Sequence, residues 1–323
     1  MQRILVTGGA GYIGSHTVRL LLARGYDVTV VDDLSKGYRQ NVPPETLYEL
    51  NIRNGSALAE LMRQMRFDAV IHFAAFIAVG ESMREPARYF GNNVGGSMEL
   101  LAAMAASGVL RMVFSSTAAV YGTPHASPIQ EDFPIQPMSP YGESKVMVER
   151  LLRWFDQIHG LTSVSLRYFN ASGADPEGRL GEEHNPETHL IPLIFRAIAT
   201  GEPLTVFGDD YDTPDGTCIR DYIHVDDLAQ AHILALERLL DGGASDRFNV
   251  GVGIGHTVLE VIRVAEEVTG RKVPYVVGPR RAGDPPALVA ASDRLRDALG
   301  WRPQYADLKT IVEHAWNFAR KRA

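Results

Sequence analysis

The sequence predicts an α/β fold, in which a doubly wound parallel sheet carries helices on both faces and is followed by a second, smaller α/β domain. Two observations predict it. Through the first half of the chain, short apolar segments of strand length alternate with segments of helical periodicity. The strand segments are apolar throughout, which is typical of strands buried on both faces of a parallel sheet. We expect residues 1–170 to form the sheet domain and residues 171–323 the second domain, with some later segments returning to pack on the first.

The predicted elements of the first half alternate between strand and helix. The first helix is expected to end at Gly25, because glycine commonly follows the last turn of a helix. Strands are predicted at residues 3–7, 28–32, 68–74, 111–117 and 163–169, and helices at residues 13–24, 56–65, 89–107 and 141–159.

Beyond residue 170 the pattern is less regular. The segment 171–187 is rich in glycine, proline and acidic residues and predicts a loop. Ligands of doubly wound sheets bind at the carboxyl ends of the strands, so we expect the second domain to cover that edge. Helices are predicted there at residues 191–200, 226–240 and 257–269 and after Tyr305.

Composition narrows the class of protein. The chain has 323 residues, 45% of them hydrophobic, which is enough for one large or two modest domains. A net charge of −7 disfavours a nucleic-acid partner. The sequence contains no run of 18 apolar residues, so no membrane-spanning helix is predicted. The N-terminus starts directly into a strand, without an apolar signal segment. The single cysteine, Cys218, forms no internal disulfide and is interpreted as a buried thiol rather than a nucleophile, so a cytoplasmic location is expected.

A glycine-rich segment, TGGAGYIG, lies between the first strand and the first helix. Its glycines at every third position are Gly8, Gly11 and Gly14. Glycine allows a sharp turn that brings the backbone against a pyrophosphate at the positive end of the helix. Asp32 ends the second strand, where a carboxylate binds the adenosine ribose and repels a 2′-phosphate, so NAD is predicted as the cofactor. Lys36 and Arg39 are close enough to neutralise such a phosphate, so NADP stays an alternative.

The segment SPYGESK places Tyr141 and Lys145 four residues apart. On a helix, residues at this spacing lie on the same face. An ammonium beside a phenol favours the phenolate, so we expect the pKa of Tyr141 to be lowered from about 10. A phenol that exchanges its proton near neutral pH is a general acid and base. The spacing alone is also common on ordinary surface helices.

Several further motifs decide between these interpretations. Together with the glycines and the Tyr-x-x-x-Lys spacing, they resemble the extended short-chain dehydrogenase/reductases, which have a Rossmann fold. Among these the resemblance is to the UDP-glucose 4-epimerase family, and it runs essentially from end to end. The motifs are GGAGYIGSHT, IHFAA with AVGES, NNVGG, LRYFNASGA, GTCIRDYIHVDDLA and RRAGDPPALVA.

The resemblance implies a reversible inversion at C4 that interconverts UDP-glucose and UDP-galactose through a 4-keto intermediate, with bound NAD that is not consumed. Tyr141 would act as acid and base, while Lys145 would bind the nicotinamide ribose and lower the pKa of Tyr141. Thr117 would donate a hydrogen bond to the reacting oxygen. The neighbouring Ser115 and Ser116 fit backbone hydrogen bonding at a strand end better than Thr117 does.

The resemblance also implies two sets of binding residues. Those expected to contact NAD are Gly8, Gly11, Tyr12, Ile13, Gly14, Asp32, Asn51, Ile52, Phe73, Ala74, Ala75, Asn92, Ser115, Tyr141, Lys145 and Tyr168. Those expected to contact the UDP-sugar are Thr117, Tyr141, Asn170, His189, Leu190, Phe207, Arg220, Arg281 and Asp284. The two arginines would supply the positive charge that a diphosphate needs.

Several alternatives stay open or are disfavoured. A dehydratase would need an acid pair after Thr117, where Ala118 and Ala119 stand. A noncatalytic NAD-binding scaffold is disfavoured because both the tyrosine and the lysine are present. Leu288 occupies the position that controls pocket volume in the family, so UDP-N-acetylhexosamines remain an alternative substrate. Epimerases of UDP-pentose or UDP-glucuronate also remain alternatives, because they share the tyrosine, the lysine and the threonine. Ile77 replaces a lysine that contacts the cofactor in some members.

Two expectations concern partners and metals. The helices at residues 89–107 and 141–159 match the pair through which members of the family form a homodimer. The ten histidines show no paired ligand spacing, so no metal is expected.

Overall fold

The computed structural model describes residues 1–281 and 284–322. Seven parallel strands form its largest sheet, in the spatial order β10, β6, β5, β4, β1, β2, β3. The sheet confirms the predicted doubly wound architecture. Its strands are β1 (Arg3–Thr7), β2 (Asp27–Asp32), β3 (Leu47–Glu49), β4 (Ala69–His72), β5 (Arg111–Ser115), β6 (Thr162–Tyr168) and β10 (Asp246–Val250).

Helices cover both faces of this sheet and fill the second part of the molecule. The helices are α1 (Tyr12–Ala23), α2 (Gly55–Met65), α3 (Val79–Ser82), α4 (Pro86–Tyr89), α5 (Gly96–Ser107), α6 (Pro140–His159), α7 (Leu190–Thr200), α8 (Val225–Leu240), α9 (Val258–Thr269), α10 (Asp293–Leu299) and α11 (Leu308–Arg322).

The two faces of the large sheet bury separate cores, because successive side chains of a strand point to opposite sides. Ile4 and Val6 of β1 pack with α1 and α8 on one face. Leu5, between them, packs with α2, α5 and α6 on the other. The continuous apolar strands therefore follow from burial on both sides.

A smaller lobe lies beside the carboxyl edge. In one of its sheets β9 pairs with β7, β11 and β13, and in another β8 pairs with β12. A third core joins α7, α9 and α11 to β8. The strands are β7 (Asn170–Ser172), β8 (Leu204–Phe207), β9 (Ile219–His224), β11 (Gly255–Thr257), β12 (Tyr275–Gly278) and β13 (Ala287–Leu288).

Two segments of the second half pack with the first. Strand β10 pairs with β6 at one edge of the large sheet. Helix α8 packs beside α1 in the core of that sheet. The domain boundary near residue 170 stays a prediction. Because β10 and α8 pack with the first half, the chain would pass between the two domains more than once.

Some predicted elements differ from the structure. The helix predicted at 89–107 is interrupted, because Phe90–Gly95 forms π-helical turns between α4 and α5. The loop predicted at 171–187 begins inside the short strand β7. Residues 282 and 283, within the motif RRAGDPPALVA, lie outside the described residues. Among the helices of the described residues, none has the length and apolar character needed to cross a membrane.

Candidate active site

The glycine turn between β1 and α1 is shaped by close backbone contacts. Gly8 has φ +71°, and a Cβ there would lie 2.5 Å from the backbone N of Ala74. A Cβ on Gly14 would lie 2.2 Å from the carbonyl oxygen of Gly8. These two glycines let the turn pack against the protein itself.

Gly11 differs, because among the described residues a Cβ there would meet only the Gly8 carbonyl oxygen, at 3.4 Å. No side chain caps the first turn of α1, which leaves its backbone N–H groups available to an anion. Tyr12 and Ile13 form this turn, although the Tyr12 hydroxyl donates to the Gly173 carbonyl oxygen (2.7 Å) and Ile13 packs toward the core. The open cradle at Gly11 fits a dinucleotide pyrophosphate.

Asp32 ends β2 beside this turn. Its carboxylate accepts hydrogen bonds from the backbone N–H groups of Ala10 (3.0 Å) and Leu34 (2.9 Å). Burial raises the pKa of Asp32, while these two hydrogen bonds oppose the shift. Nearby, the Asn51 amide donates to Asp33 (2.6 Å). The carboxylates and the amide therefore form the polar rim that an adenosine would meet.

The remaining residues predicted to contact NAD lie at strand ends or on the flanking turn. Phe73, Ala74 and Ala75 directly follow β4, and the first two donate their backbone N–H groups to Thr7. Asn92 lies in the π-helical turn and donates to Asn93 (3.1 Å). The side chain of Ile52 is in the core, so only its backbone can reach a ligand.

Tyr141, Lys145 and Thr117 come together where β5 and β6 end. Thr117 follows β5 by two residues, and Tyr141 lies in the first turn of α6, which begins at Pro140 and is capped by Ser139. The Lys145 ammonium donates to the carbonyl oxygen of Ser115 (2.8 Å). The Ser115 hydroxyl in turn donates to the hydroxyl of Tyr168 (3.2 Å). All five side chains are at least partly buried.

The prediction that the pKa of Tyr141 is lowered is wrong when only the groups of this chain are considered. Burial raises this pKa well above its ordinary value, Tyr168 adds to the increase, and a hydrogen bond with Thr117 only partly opposes it. Burial also lowers the pKa of Lys145 to about 7, against the attraction of Glu149. Helical spacing indicated a shared face but not the desolvation that dominates both groups.

Glu149 was missed by the sequence reasoning. Its carboxylate accepts hydrogen bonds from the Ser116 hydroxyl (2.6 Å) and from the Arg167 guanidinium (2.5 and 3.0 Å). Arg167 also donates to the Tyr121 hydroxyl (2.9 Å). Glu149 lies one helical turn after Lys145, so the spacing Tyr-x-x-x-Lys-x-x-x-Glu could have pointed to it.

The residues predicted for the UDP moiety form two pairs in the smaller lobe. Arg220 of β9 binds Asp284 through a 2.6 Å ion pair. The guanidinium of Arg281 lies 3.9 Å from the centroid of the Phe207 ring. These two contacts therefore hold two cations, one carboxylate and one aromatic ring.

The other predicted substrate residues lie on segments that link the lobe to the sheet. Asn170 follows β6 by two residues and donates its amide to the Asp221 carbonyl oxygen (3.1 Å). Leu288 packs half-buried in a cluster with Ala118 and Phe169. His189 precedes Leu190, the first residue of α7.

His189 belongs to a cluster that the sequence reasoning also missed. Its Nδ1 lies 2.8 Å from Glu182 and 3.0 Å from Glu187, and His184 lies on the other side of the same carboxylates. Burial disfavours the charged imidazoles, but the two carboxylates outweigh it and raise the pKa of His189 to about 10 and that of His184 to about 8.

Comparison with known proteins identifies the family. The family model of the NAD dependent epimerase/dehydratase family matches residues 4–251. The chain belongs to this family. Two curated members of the epimerase/dehydratase family are 51% identical to it: the UDP-glucose 4-epimerase of Lacticaseibacillus casei, over 98% of this chain and 96% of the relative, and that of Azospirillum brasilense, over 98% and 92%.

Solved epimerase/dehydratase structures agree. The UDP-glucose 4-epimerase of Brucella ovis, in complex with NAD, has a TM-score of 0.96 at 47% identity and 98% coverage of both chains. The enzyme of Bifidobacterium longum, in complex with NAD+ and UDP, has a TM-score of 0.93 at 37% identity, with 99% of this chain and 98% of that chain covered. The family predicted from the motifs is confirmed.

Proposed function

We propose that this chain is an isomerase that interconverts UDP-glucose and UDP-galactose by inversion at C4, with NAD as its cofactor. The observation that carries the proposal is the meeting of Tyr141, Lys145 and Thr117 at the carboxyl edge of the sheet that bears the open glycine turn. Full-length relatives about half identical in sequence, named as UDP-glucose 4-epimerases, support the same reaction.

The reaction starts with proton removal. Thr117 would donate a hydrogen bond to the sugar O4, and Tyr141 would take the proton of the 4-hydroxyl as the C4–H bond breaks and C4 becomes a ketone. NAD, when bound, supplies the acceptor and later the donor of the C4 hydride, together with a positive charge. Tyr141 then returns the proton to O4 as C4 is reduced from its opposite face. Every atom removed from the sugar is returned, so the reaction consumes nothing.

Positive charge near Tyr141 is necessary for this cycle. Burial raises the pKa of the phenol in the chain by itself, so an uncompensated phenolate would be costly. Lys145, one turn later on the same helix, is the chain's own source of positive charge. Its hydrogen bond to the Ser115 carbonyl oxygen fixes where that charge lies.

We propose that residues of the smaller lobe bind the UDP-sugar. Arg220 and Arg281 are proposed to bind the diphosphate, with Phe207 and Asp284 at the uridine and Asn170, His189 and Leu190 between nucleotide and sugar. Binding through the nucleotide leaves the hexose free to present either face of C4. Another UDP-sugar as main substrate is not favoured by the names of the full-length relatives.

The proposed assembly is a homodimer, located in the cytoplasm. Helices α5 and α6 carry exposed apolar side chains, which is unusual for a surface that stays in water. These are Met98, Met147, Trp154 and Ile158. The lone, free Cys218 is consistent with a reducing compartment.

One experiment tests the function. The purified protein is denatured to release any bound NAD, and the native protein is incubated with UDP-galactose without added cofactor. We expect released NAD and formation of UDP-glucose. Tyr141→Phe should keep NAD but lose at least about 100-fold in kcat, because general acid–base catalysis contributes about that much. Undiminished turnover in Tyr141→Phe would contradict the assignment of the acid and base.

A further inference from the structure

The loop between β7 and α7 brings four potential metal ligands to one point. They are Glu182, His184, Glu187 and His189, and one ligand atom from each lies within 4.8 Å of all the others. Imidazole nitrogens and carboxylate oxygens are both ligands that zinc accepts in proteins.

The distances in this loop cluster fit a tetrahedral ion. From Nδ1 of His189, the carboxylates of Glu182 and Glu187 lie at 2.8 and 3.0 Å. From Nδ1 of His184, the same two carboxylates lie at 3.4 and 3.5 Å. Ligands about 2.0–2.1 Å from a tetrahedral Zn²⁺ are themselves about 3.3 Å apart. The four donors therefore need only small adjustments to surround one ion.

One of the four potential ligand atoms makes no hydrogen bond within the cluster. Nδ1 of His184 is buried and has no hydrogen-bond partner among the described residues. Such an orphaned nitrogen is costly unless something binds it. The two carboxylates beside it bring two negative charges into a site where the Glu182 side chain is only 7% exposed. A divalent cation would take the place of the imidazole protons beside the two carboxylates and would bind the His184 nitrogen.

We propose that Glu182, His184, Glu187 and His189 bind one Zn²⁺ ion in this loop. All four coordination positions are filled by protein, which is the arrangement of a structural site rather than a catalytic one. The His189 side chain is 44% exposed, which gives the ion a path from solvent. Because Nδ1 of His189 would hold the ion, only Nε2 would be left for the contact with the UDP-sugar proposed above, and the ion takes no part in the proton or hydride transfers.

The contacts of the loop indicate what the ion would hold in place. The His184 ring lies edge-on to the ring of Tyr12, with centroids 6.2 Å apart, and Tyr12 begins the helix after the glycine turn. The Asn185 carbonyl oxygen accepts a hydrogen bond from Lys36 (2.9 Å), beyond β2. A bound ion would hold this loop, which belongs to the second half of the chain, against the proposed cofactor site in the first half.

The test measures metal rather than turnover. The full chain is purified without a histidine tag, stripped with a chelator, and titrated with ZnCl₂ by calorimetry. We expect one equivalent of Zn²⁺ with a dissociation constant below about 1 μM. Replacing the ion with Co²⁺ should give the strong visible absorption of tetrahedral cobalt.

Two variants locate the binding. His184→Gln should weaken Zn²⁺ binding by about 100-fold or more, since loss of even an outer partner of a metal ligand costs about 10–100-fold. His125→Gln, in an exposed loop elsewhere, should bind like the unmodified chain. Near-ultraviolet circular dichroism of each variant checks the fold. Absence of a stoichiometric site in the unmodified chain, or equal affinity in His184→Gln, would overturn the proposal and leave an imidazole–carboxylate network.

Discussion

Burial, more than spacing, determines the charges of the proposed catalytic pair. Tyr141 and Lys145 are both buried, and desolvation shifts each pKa toward the neutral form. The chain therefore holds a neutral phenol beside an ammonium that is easily deprotonated. Such a site is poised for a ligand that brings its own positive charge, and costs stability until that ligand arrives.

Lys145→Met should make the NAD-stripped protein more stable at low pH. The pKa of Lys145 is about 7 when folded and about 10.4 when unfolded, so the unfolded chain binds more protons between these values. The destabilisation by Lys145 is therefore complete below about pH 7 and disappears toward pH 10. After the lost hydrogen bond to Ser115 is subtracted, we expect a gain of about 2 kcal/mol at pH 6.

Urea unfolding at pH 6, 8 and 10 measures this difference. Lys309→Met, at an exposed position on α11, serves as the control and should show no such trend. A stability difference between Lys145→Met and the unmodified chain that does not vary with pH would contradict the buried-charge explanation.

One carboxylate on α6 forms polar contacts with two strands of the sheet, in addition to the apolar packing of the helix. Glu149 joins this helix to Ser116, just after β5, and to Arg167 near the end of β6. The residues beside these partners are Thr117 and Tyr168, so the ion pair with Arg167 and the hydrogen bond from Ser116 together link three elements that carry the proposed site. The side chain of Arg167 is only 4% exposed, which makes the pair sensitive to loss of either partner.

Glu149→Gln should lower stability by about 3 kcal/mol, because it leaves the Arg167 guanidinium buried without its counter-charge. It should also reduce kcat more than it changes KM, since the groups that it displaces are proposed to act on the reacting atoms. Thermal unfolding and steady-state kinetics measure the two effects. Glu143→Gln, on the same helix and more exposed, should stay within about 0.5 kcal/mol. Equal stability of the two variants would count against this role of Glu149.

Local patterns predicted much of the sheet and its helices but few of the contacts between distant segments. The apolar strands and the helices α1 and α6 follow from periodicity, and the glycine turn from its neighbours. The π-helical turn at Phe90–Gly95 does not, since an apolar pattern fits a continuous helix equally well. The short strands of the lobe carry too few residues to show a period.

The candidate site also divides into residues that a local motif predicts and contacts that only the folded chain makes. Tyr141 and Lys145 are visible in a seven-residue motif, whereas the Arg220–Asp284 pair joins residues 64 apart in sequence. The cluster at His184 and His189 lies in a loop without regular periodicity, so spacing rules for helices and fingers do not detect it. Motifs predicted these residues one by one, and only folding brings them into contact.

Two neighbouring helices of the molecule, α5 and α6, expose large apolar side chains to solvent. Trp154 and Ile158 of α6 are 53% and 68% exposed, and Met98 of α5 lies on the neighbouring helix. Large apolar side chains on two adjacent helices suit a symmetric interface between two copies of the chain.

Ile158→Arg should convert a dimer into a monomer, because a two-fold interface brings the new charges of both copies into one apolar surface. Light scattering after size-exclusion chromatography at micromolar concentration measures the mass. Tyr275→Arg, exposed on β12 in the smaller lobe, should leave the mass unchanged. A monomer in the unmodified chain, or a dimer that survives Ile158→Arg, would show that α6 is not the interface.

The return of β10 to the large sheet has a consequence during protein synthesis. Strand β6 ends at Tyr168, but its edge partner begins only at Asp246. A ribosome adding about 5–20 residues per second needs about 4–16 s to make the chain between them. Throughout that time β6 has an unpaired edge, and for most of it the segment that forms α8 has not been made, and such an edge readily pairs with other chains. The speed of translation between these strands therefore sets how long the growing chain needs protection by chaperones.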